Sequence, residues 1–483
     1  MSGGRDAGRL NELEAIVRDK LEPSAAQRQQ VRDSVIRYAE DFLDRIYELP
    51  AYIGSDGKGI EAAPVGESPG DIGTLLDIVR NHVDQSGINP ASGGHLGYIP
   101  GGGIYFSALG DYLADVMNRY AGVYFAGPGA VRLENLLIDW MAGVVGYPSS
   151  AVGNLTSGGS VANLMGIVAA RDAAGIKAKD IAKSVVYLTT QVHHSVDKAL
   201  RIAGLAECVV RHVAMDGKFR MDAGALERTI VKDKKDGLRP FLVIASAGTT
   251  DVGAVDPLDN VGEIAKRHGI WFHCDAAYGG FFVLCDEGKK ALRGMESSDS
   301  LVMDPHKGLF LPYGTGAILV KDKNALYNAF KYEASYLADA LKGGDTLSPA
   351  DLSPELTKHF RGLRMWLPLK LAGVAPFRAA VEEKMLLARY FHEKIREISG
   401  FEAINYPDLS VVAFRYVPKK GDANVFNQEL LRHIHNDGRV FLSGTKLNGK
   451  YVLRVAIVVF RTHKETIDLA LQVLNEGVRR LES

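Results

Sequence analysis

Two stretches of the chain decide its fold: IWFHCDAAYGGFF at residues 270–282 and DSLVMDPHKGLFLPYGTGAIL at residues 299–319. Each contains a short apolar run that gives way to polar and small residues, at Asp275 in the first stretch and at residues 304–307, Asp-Pro-His-Lys, in the second. Runs of this length with such boundaries are typical of buried strands. Ligands of α/β proteins bind beyond the carboxyl ends of parallel strands, so these two ends predict a functional site.

The chemistry of that site is predicted from Asp275 and Lys307. Because side chains alternate between the two faces of a strand, His273, Asp275 and Ala277 are expected to share one face. A carboxylate late in an apolar run needs a cation or several donors, either in a structural ion pair or on a ligand. Lysine amines form Schiff bases with carbonyl cofactors. We therefore expect Lys307 to hold such a cofactor and Asp275 to contact its ring nitrogen; a solvated lysine is the simpler alternative.

A loop of small residues opens onto a helix further back in the chain. Residues 153–160, GNLTSGGS, are predicted to form a turn, and the apolar residues that follow recur at helical spacing. The N–H groups and the dipole at a helix N-terminus favour a phosphate group. Ser157 and Ser160 add hydroxyl donors beside Gly158 and Gly159. A simple helix cap is the alternative interpretation.

The neighbouring segments alternate between strand and helix patterns, as in a parallel α/β sheet. Residues 185–190 are predicted to form a buried strand. His193 follows the end of that strand, where a histidine either lies flat on an aromatic cofactor or serves a structural role. Residues 241–247 predict another strand, which ends shortly before Thr250, and residues 317–320 predict the strand that closes this region.

The composition is that of an ordinary globular protein. Of the 483 residues, 46% are hydrophobic, and 57 basic residues nearly balance 58 acidic ones, so no net field favours nucleic acid or an anionic membrane. The start lacks the apolar run of a signal peptide, and no later run predicts a membrane span. Three cysteines without metal-ligand spacing indicate buried, reduced thiols, so we expect a cytoplasmic protein without a metal site.

Length and patterning predict three units. Residues 1–104 are expected to form an N-terminal helical dimerisation segment, which has no core of its own and packs on another part of the protein or on a partner subunit. Residues 105–372 are expected to form a large α/β domain that binds the cofactor. Residues 373–483 are expected to form a small α+β domain.

Two loops are expected to border the site. The glycine-rich stretch at residues 91–104 is either a flexible connector or a pocket rim whose walls include Tyr98 and Ile99. The polar stretch at residues 335–360 is predicted to be a mobile loop that covers the site.

Four motifs together resemble the pyridoxal-phosphate-dependent group II amino-acid decarboxylases, the family of aromatic-L-amino-acid (dopa) and glutamate decarboxylases. The motifs are Thr156-Ser157-Gly158-Gly159-Ser160, Gln191-Val192-His193-His194-Ser195-Val196, His273-Cys274-Asp275-Ala276-Ala277-Tyr278 and Asp304-Pro305-His306-Lys307. The resemblance implies fold type I, the aspartate aminotransferase-like α/β fold, with a large domain built on a mainly parallel sheet. It also implies a homodimer with active sites at the interface and an N-terminal helical segment wrapped over the partner.

The resemblance implies roles for individual residues. Lys307 would carry pyridoxal 5'-phosphate as the internal aldimine, Asp275 would contact the pyridine nitrogen, and His193 would stack on the ring. The other cofactor-binding residues are Ser157, Gly158, Gly159, Ser160, Thr250, Ala277, His306 and Asp304. The substrate-binding residues are Tyr98, Ile99, Pro100 and Gly101.

Three positions depart from the family pattern. Asp304 stands where dopa decarboxylases have a phosphate-binding Asn, and a carboxylate there would repel the phosphate unless water or a donor intervenes. Gly308 follows the lysine where aromatic decarboxylases usually have Trp. Residues 346–354, TLSPADLSP, lack the loop tyrosine that protonates Cα after CO2 leaves, and the nearest tyrosine, Tyr336, lies at the start of the loop.

The expected reaction is decarboxylation of an L-amino acid to the amine, through a quinonoid that His193, water or a loop residue reprotonates. Tyr98, Tyr124 and Phe125 favour an aromatic or apolar side chain. The missing tyrosine leaves a second outcome open, in which the intermediate reacts with O2 and an aldehyde leaves. Transamination and a cofactor-free binding or scaffolding role are further alternatives. A nucleotide-binding dehydrogenase is disfavoured, because no G-x-G-x-x-G opens a helix after the first strand.

Overall fold

The computed structural model describes residues 3–331 and 346–483. The chain begins with an extended helical segment that carries one two-stranded ribbon. Its elements are α1 (Gly3–Leu21), α2 (Ala25–Asp44), β1 (Tyr52–Ile53), α3 (Ile72–Ile78) with a π-helical turn at Val79–Asp84, and β2 (Gly87–Ile88), which pairs with β1.

The spacing of apolar residues over 10–50 predicts a helical stretch that ends at Pro50, but the structure has two helices there. Pro23 lacks the N–H group that a helix interior requires, and Ser24 caps the second helix in a capping box with Gln27. α2 ends at Asp44, earlier than the predicted end at Pro50. No residue of α2 is buried, so this helix has no core of its own within one chain.

A mainly parallel sheet forms the centre of the protein. Across the described ranges it has seven strands in the order β3-β9-β8-β7-β6-β4-β5, and only β9 pairs antiparallel with its neighbours. The strands are β3 (Val152–Thr156), β4 (Ser184–Leu188), β5 (Val209–His212), β6 (Arg239–Ser246), β7 (Trp271–Asp275), β8 (Ser300–Met303) and β9 (Gly316–Val320). Since the other six strands run in one direction, their carboxyl ends meet at one edge.

Helices cover both faces of this sheet, as parallel sheets require. The helices of this unit are α4 (Tyr105–Met117), α5 (Pro128–Val145), α6 (Gly159–Ala173), α7 (Ser195–Ile202), α8 (Ala223–Lys235), α9 (Leu258–His268), α10 (Asp286–Ala291), α11 (Pro305–Gly308), α12 (Lys323–Phe330) and α13 (Gly362–Ala372). α5, α8 and α9 pack on the face that carries Phe272 and Cys274. α6 and α7 pack on the opposite face, where His273 and Asp275 contact α6. The predicted alternation along β7 is therefore confirmed.

Two local predictions in this region need correction. Residues 153–156 are the body of β3 and not part of a turn, because Leu155 is completely buried and the strand pairs with β9 along its length. The turn is confined to the residues just before α6. β5, an edge strand with three half-buried residues and one exposed residue, was not anticipated at all.

The C-terminal residues form a smaller unit with its own core. In the described residues beyond 400, an antiparallel sheet of four strands has the order β10-β11-β13-β12. Its elements are α14 (Ala375–Glu397), β10 (Phe401–Ala403), β11 (Val411–Tyr416), α15 (Ala423–Asp437), β12 (Ser443–Leu447), β13 (Lys450–Ala456) and α16 (Lys464–Glu482). The sequence of residues 361–398 has a helical pattern, and in the structure Gly373, at a φ of 73°, divides this stretch into α13 and α14.

The described part of the predicted mobile loop is packed against the large unit. The Lys358 ammonium lies 2.6 Å from Glu134 Oε2 and donates to Asn154 Oδ1 at 2.7 Å, and both charged side chains are almost fully buried. Tyr124 N donates to Ser348 Oγ at 3.0 Å. The rest of that prediction, including Tyr336, lies outside the described residues. Among the helices that the structure describes, none combines the length and the apolar character needed to cross a membrane.

Candidate active site

A cavity of about 410 Å³ lies at the edge where the parallel strands end. We call the residues that follow the strand ends there the carboxyl edge: residues 157–160 after β3, His193 after β4, Thr250 after β6, residues 275–277 around the end of β7, and residues 304–307 after β8. Most of these predicted residues line the same cavity, since the strand ends are adjacent in the sheet. A cavity of this size suits a small molecule.

Asp275 is the last residue of β7 and is 8% exposed. Its Oδ1 accepts from the N–H of Ala277 at 3.1 Å, and its Oδ2 accepts from Asn163 Nδ2 at 3.1 Å. These two donors fix the orientation of the carboxylate at the cavity wall. Its remaining lone pairs can accept from a donor that a ligand brings into the cavity.

Lys307 lies in the single turn of α11 that follows β8 directly. Pro305 starts this turn, where its missing N–H is no loss. The Lys307 ammonium lies 3.1 Å from Asp304 Oδ2, and 23% of the lysine side chain is exposed to the cavity. Gly308 is sterically required, because a Cβ there would stand 2.6 Å from the Cβ of Phe281. A Trp at this position would not fit beside Phe281.

The tautomer of His193 follows from its contacts. Its Nδ1 accepts from the backbone N–H of Ser195 at 3.2 Å and lies 2.7 Å from Ser195 Oγ. In the neutral ring the proton is therefore on Nε2. Burial lowers the pKa of His193, against the opposing effect of the Asp275 carboxylate and with a smaller contribution from the Lys307 ammonium. His193 is thus a neutral ring with an N–H donor at the cavity wall.

The loop before α6 has the features of an anion site, with one exception. Ser157, Gly158, Gly159 and Ser160 lie at the N-terminus of this 15-residue helix and line the cavity. A Cβ on Gly159 would come within 2.8 Å of Asp304 Oδ2, so glycine is needed where the helix meets the end of β8. The exception is Asp304 itself.

Asp304 places a buried carboxylate at the end of the cavity that the α6 N-terminus occupies. Its side chain is 1% exposed, and within the described residues neither of its oxygens has a donor in hydrogen-bond geometry. The Lys307 ammonium contacts it by charge, at 3.1 Å, but off the hydrogen-bonding directions. An anion that entered here would therefore meet a carboxylate whose one close cation is Lys307.

His306 and Thr250 complete the carboxyl edge. His306 Nδ1 donates to the carbonyl of Thr315 at 2.6 Å, and burial lowers the pKa of His306, so its ring is neutral with the proton on Nδ1. The carbonyl of Thr250 accepts from the buried guanidinium of Arg454, which also donates to the carbonyl of Asp251 at 2.7 Å. Arg454, on β13, thus links the C-terminal unit to the cavity wall.

The rim loop, residues 91–104, supplies two of its four predicted substrate residues to the cavity. Tyr98 and Ile99 line it, and Tyr98 has a φ of 54°, a conformation that non-glycine residues rarely adopt and that marks functional loops. Pro100 and Gly101 do not line it; a Cβ on Gly101 would stand 2.4 Å from the carbonyl oxygen of His306.

The aromatic residues predicted near the substrate, Tyr124 and Phe125, also lie outside this cavity. The Tyr124 hydroxyl accepts from Arg132 at 2.6 Å, and Phe125 is exposed in the single chain. Tyr313, which sequence reasoning missed, lines the cavity instead, with its ring 5.9 Å from that of His306.

Two further residues of the site, Asn163 and Ser195, were also missed. Asn163 is 1% exposed within α6, and Ser195 is 4% exposed at the start of α7. A signal for Asn163 was present, because a polar amide stood among the apolar residues 161–168 of a predicted buried helix. In residues 3–331 and 346–483, no group of three or more metal-ligating side chains comes together.

The comparisons with known proteins agree with this geometry. Residues 89–417 match the family described as the pyridoxal-dependent decarboxylase conserved domain. The chain is 32% identical to an aromatic-L-amino-acid decarboxylase of Bacillus atrophaeus, over 92% of this chain and 94% of that protein. It is 30% identical to a phenylacetaldehyde synthase of Arabidopsis thaliana, over 86% and 87%. The crystal structure of Oryza sativa TDC with PLP and tryptamine superposes with a TM-score of 0.89 at 25% identity, over 95% of this chain and 99% of that one.

The chain belongs to the pyridoxal-dependent decarboxylase family. It has the type I fold of pyridoxal-phosphate enzymes and is a lyase that decarboxylates amino acids with pyridoxal 5'-phosphate as its cofactor. The residues present suit this group. They combine a lysine amine open to the cavity, a helix N-terminus with two serines, a carboxylate with an open side and a neutral histidine in the wall.

Proposed function

We propose that this protein decarboxylates an L-amino acid with an aromatic or apolar side chain, to the amine and CO2. The observation that carries the proposal is that Lys307, Asp275, His193 and the loop at residues 157–160, which come from four separate strand ends, line one cavity. Pyridoxal phosphate, when bound, supplies the aldehyde that joins the substrate amine and the ring that takes up the electron pair left when CO2 departs.

Each residue of the carboxyl edge has a defined task in this proposal. Lys307 attaches the cofactor through its amine and gives it up to the substrate amine. Asp275, held as an acceptor by Ala277 and Asn163, keeps a proton on the ring nitrogen by charge attraction. His193, in the cavity wall with its proton on Nε2, would stack on the ring and would be one source of the proton that replaces CO2 at Cα. Water and a loop residue are the other sources.

The cavity wall supports an aromatic or apolar substrate side chain. Tyr98, Ile99 and Tyr313 line its open side. Among the described lining residues, the cationic or titratable nitrogen groups are those of Lys307, His193 and His306, and none is an arginine that would pair with an acidic side chain. The aromatic-L-amino-acid decarboxylase of Bacillus atrophaeus, similar over most of this chain, supports the same class.

The experiment has two parts. Borohydride reduction of the protein with pyridoxal phosphate should fix the cofactor to Lys307, as seen by mass spectrometry, and Lys307→Ala should abolish this adduct. A panel of L-amino acids should then release CO2 and amine in equal amounts, fastest with an aromatic member. No adduct at Lys307, or no CO2 from any amino acid, would overturn the proposal.

A second candidate product is the aldehyde. Phenylacetaldehyde synthases are among the similar proteins, and the described residues 346–354 hold no tyrosine. In that reaction the amino acid, O2 and water give the aldehyde, CO2, ammonia and hydrogen peroxide. Oxygen uptake and peroxide in step with CO2 would establish this outcome, and their absence would leave the amine as the product.

The proposed active unit is a homodimer. The single chain leaves an apolar stripe of α1 exposed, with Leu10 65%, Leu13 42% and Leu21 75% exposed. α4 exposes further large side chains, among them Tyr112 and Val116. Stripes of this kind need a partner surface, and a second copy of the chain supplies one.

Sedimentation equilibrium tests the dimer. Twice the 52.3 kDa chain mass is expected. Leu13→Asp should shift the population toward the monomer, whereas Asp19→Asn, a change on the same exposed helix, should not. A wild-type monomer that retains full activity would exclude the interface.

A cytoplasmic location stays a prediction, supported by three unpaired, buried cysteines.

A further inference from the structure

A chain of buried polar side chains lies beneath the cavity, on the face of the sheet that α6 covers. Asn163, His273 and Ser300 are each at most 1% exposed, yet all make hydrogen bonds within the chain. Buried polar networks of this kind are retained only where each member is satisfied. The chemistry of the groups at its two ends decides which atom is the donor in each hydrogen bond of this chain.

The direction is fixed from both ends. The Asp275 carboxylate only accepts, so the group 3.1 Å from its Oδ2 must be the amide nitrogen of Asn163. Asn163 Oδ1 then faces His273 Nε2 at 2.8 Å, and an amide oxygen only accepts, so His273 carries its proton on Nε2.

At the other end, the indole N–H of Trp271 only donates, and it donates to Ser300 Oγ at 2.8 Å. The Ser300 hydroxyl proton is therefore free to go to His273 Nδ1, 2.7 Å away. Both nitrogens of His273 are thus used in one orientation. Burial lowers the pKa of His273 to about 4, which keeps the ring neutral. Every hydrogen bond of the chain therefore has one fixed donor and one fixed acceptor.

Asn163 also reaches toward the second arm of the site. Its Nδ2 lies 3.5 Å from Ser195 Oγ, a long contact, and the Ser195 backbone and side chain hold His193 by Nδ1. One amide group therefore lies between the acid assigned to the ring nitrogen and the serine that fixes the stacking histidine.

We propose that Asn163 is a positioning residue that holds the Asp275 carboxylate and, through Ser195, the His193 ring in register, and that His273 and Ser300 orient its amide from behind. The proposal rests on the roles proposed above for Asp275 and His193. Without the Asn163 donor, Asp275 keeps only the Ala277 N–H, so its open oxygen is no longer aimed into the cavity.

The first test needs neither cofactor nor activity. In 15N-histidine NMR spectra of the cofactor-free protein, His273 and His193 should both show the proton on Nε2, with assignments from His273→Gln and His193→Gln. Asn163→Leu should release the tautomer of His273, whereas Asn163→Asp retains the Oδ1 acceptor and should preserve it. A wild-type His273 with its proton on Nδ1 would overturn the proposal.

The second test uses the cofactor-loaded protein. Asn163→Leu and Asn163→Asp should each weaken pyridoxal-phosphate binding and lower kcat by about tenfold or more with little change in KM, because charge placement rather than substrate binding is lost. The absorbance spectrum of the bound cofactor should change in both variants. Ser300→Ala, further along the chain of hydrogen bonds, should give a smaller change in the same direction.

Asn427→Leu is the matched control. Asn427, on α15, is fully buried, and its amide bonds to the backbone N–H and carbonyl of Tyr416 on β11. It does not line the cavity, so its loss should lower stability without changing the cofactor spectrum or the histidine tautomers. Wild-type spectra and kcat in both Asn163 variants would refute the positioning role. If wild-type protein instead forms no adduct at Lys307, the proposed function fails, whereas the tautomer result still decides the hydrogen-bond chain.

Discussion

The carboxyl edge and the rim loop both border the active-site cavity, but they are held in place in different ways. Residues of the carboxyl edge sit within a few positions of a strand end, so the sheet itself fixes them. The rim loop contains no regular element between β2 and α4, and the C-terminal unit holds it.

The contacts of the rim loop span most of the chain. Thr462 Oγ1 donates to the carbonyl of Gly93 at 2.7 Å, and Arg461 donates to the carbonyl of Gly102 at 3.1 Å. Leu96 N donates to the carbonyl of Phe441 at 2.8 Å, and its own carbonyl accepts from Ala456 N at 2.7 Å. The residues that would bind the cofactor are therefore positioned by nearby strand ends. The loop that borders the substrate side is instead positioned by contacts between the large unit and the C-terminal unit.

Asp275→Asn tests the carboxyl edge, where the largest effect is expected. The amide keeps the size of the side chain but removes the charge that faces the ring nitrogen. CO2 release should fall about 10²- to 10³-fold, the usual loss for one preorganised electrostatic contact. Borohydride should still trap the cofactor at Lys307. If the rate falls less than about threefold, the assignment of Asp275 is wrong, because so small a change is typical of peripheral contacts.

Arg461→Ala tests the rim loop. It removes a buried guanidinium, 8% exposed, from the carbonyls of Ala91 and Gly102. The free energy of unfolding should fall by about 2–3 kcal/mol, because hydrogen bonds to charged groups contribute that much. KM should rise by about tenfold with a smaller change in kcat, since substrate binding and not charge placement is affected.

Steady-state kinetics and urea unfolding measure these two effects of Arg461→Ala. Arg432→Ala, which breaks only an exposed pair with Glu429, is the control and should change neither quantity. A fall in kcat at constant KM would show that the rim loop acts on the chemistry itself, and the contrast between the two regions would not hold.

The same contrast explains how far the sequence could be interpreted. The positions of Asp275 and Lys307 at the cavity were predictable, because a polar residue that follows an apolar run lies at the strand end. Their roles stay predictions. Asn163 stood out as an amide among apolar residues, but its role was not predictable, because that role depends on the strand on which α6 packs. Pro100 and Gly101 were assigned to the substrate by their place in a motif, but contacts with His306 and with the C-terminal unit decide which rim residues face the cavity.

His95 is predicted to make the free energy of unfolding depend on pH through the rim loop. This rim-loop residue is 2% exposed, neither ring nitrogen has a partner in hydrogen-bond geometry within the described residues, and burial lowers its pKa to about 4. The unfolded chain binds a proton near pH 6.5, so the unfolded state gains protons first as pH falls. Between pH 7 and pH 5 this residue should therefore lower the free energy of unfolding by about 2 kcal/mol.

His95→Leu should remove that part of the pH dependence, as measured by urea unfolding at pH 7 and pH 5. His212→Leu, at an exposed position on the end of β5, is the control and should leave the slope in place. His273 is buried with a pKa of about 4 as well, so a second share of the acid sensitivity should persist in the His95 variant. An unchanged slope in His95→Leu would mean that acid does not act on the rim loop.

Asp304→Asn addresses the one residue of the carboxyl edge whose charge opposes the expected ligand. The carboxylate lies at the α6 N-terminus without a hydrogen-bond donor among the described residues, and its close cation is Lys307. If Lys307 held the cofactor, it would no longer offer a free ammonium to Asp304, and a phosphate at the α6 N-terminus would face the carboxylate. Removing the negative charge should tighten pyridoxal-phosphate binding by about tenfold, equivalent to about 1.4 kcal/mol.

Equilibrium dialysis of the cofactor-free protein against pyridoxal phosphate measures this change. Asp233→Asn, which alters an equally buried carboxylate paired with Arg211 at the far edge of the sheet, should leave cofactor affinity unchanged. Weaker binding in Asp304→Asn would reverse the interpretation: the carboxylate would then orient Lys307 or a bridging donor for the cofactor. In that case every residue of the carboxyl edge, Asp304 included, would favour binding of pyridoxal phosphate.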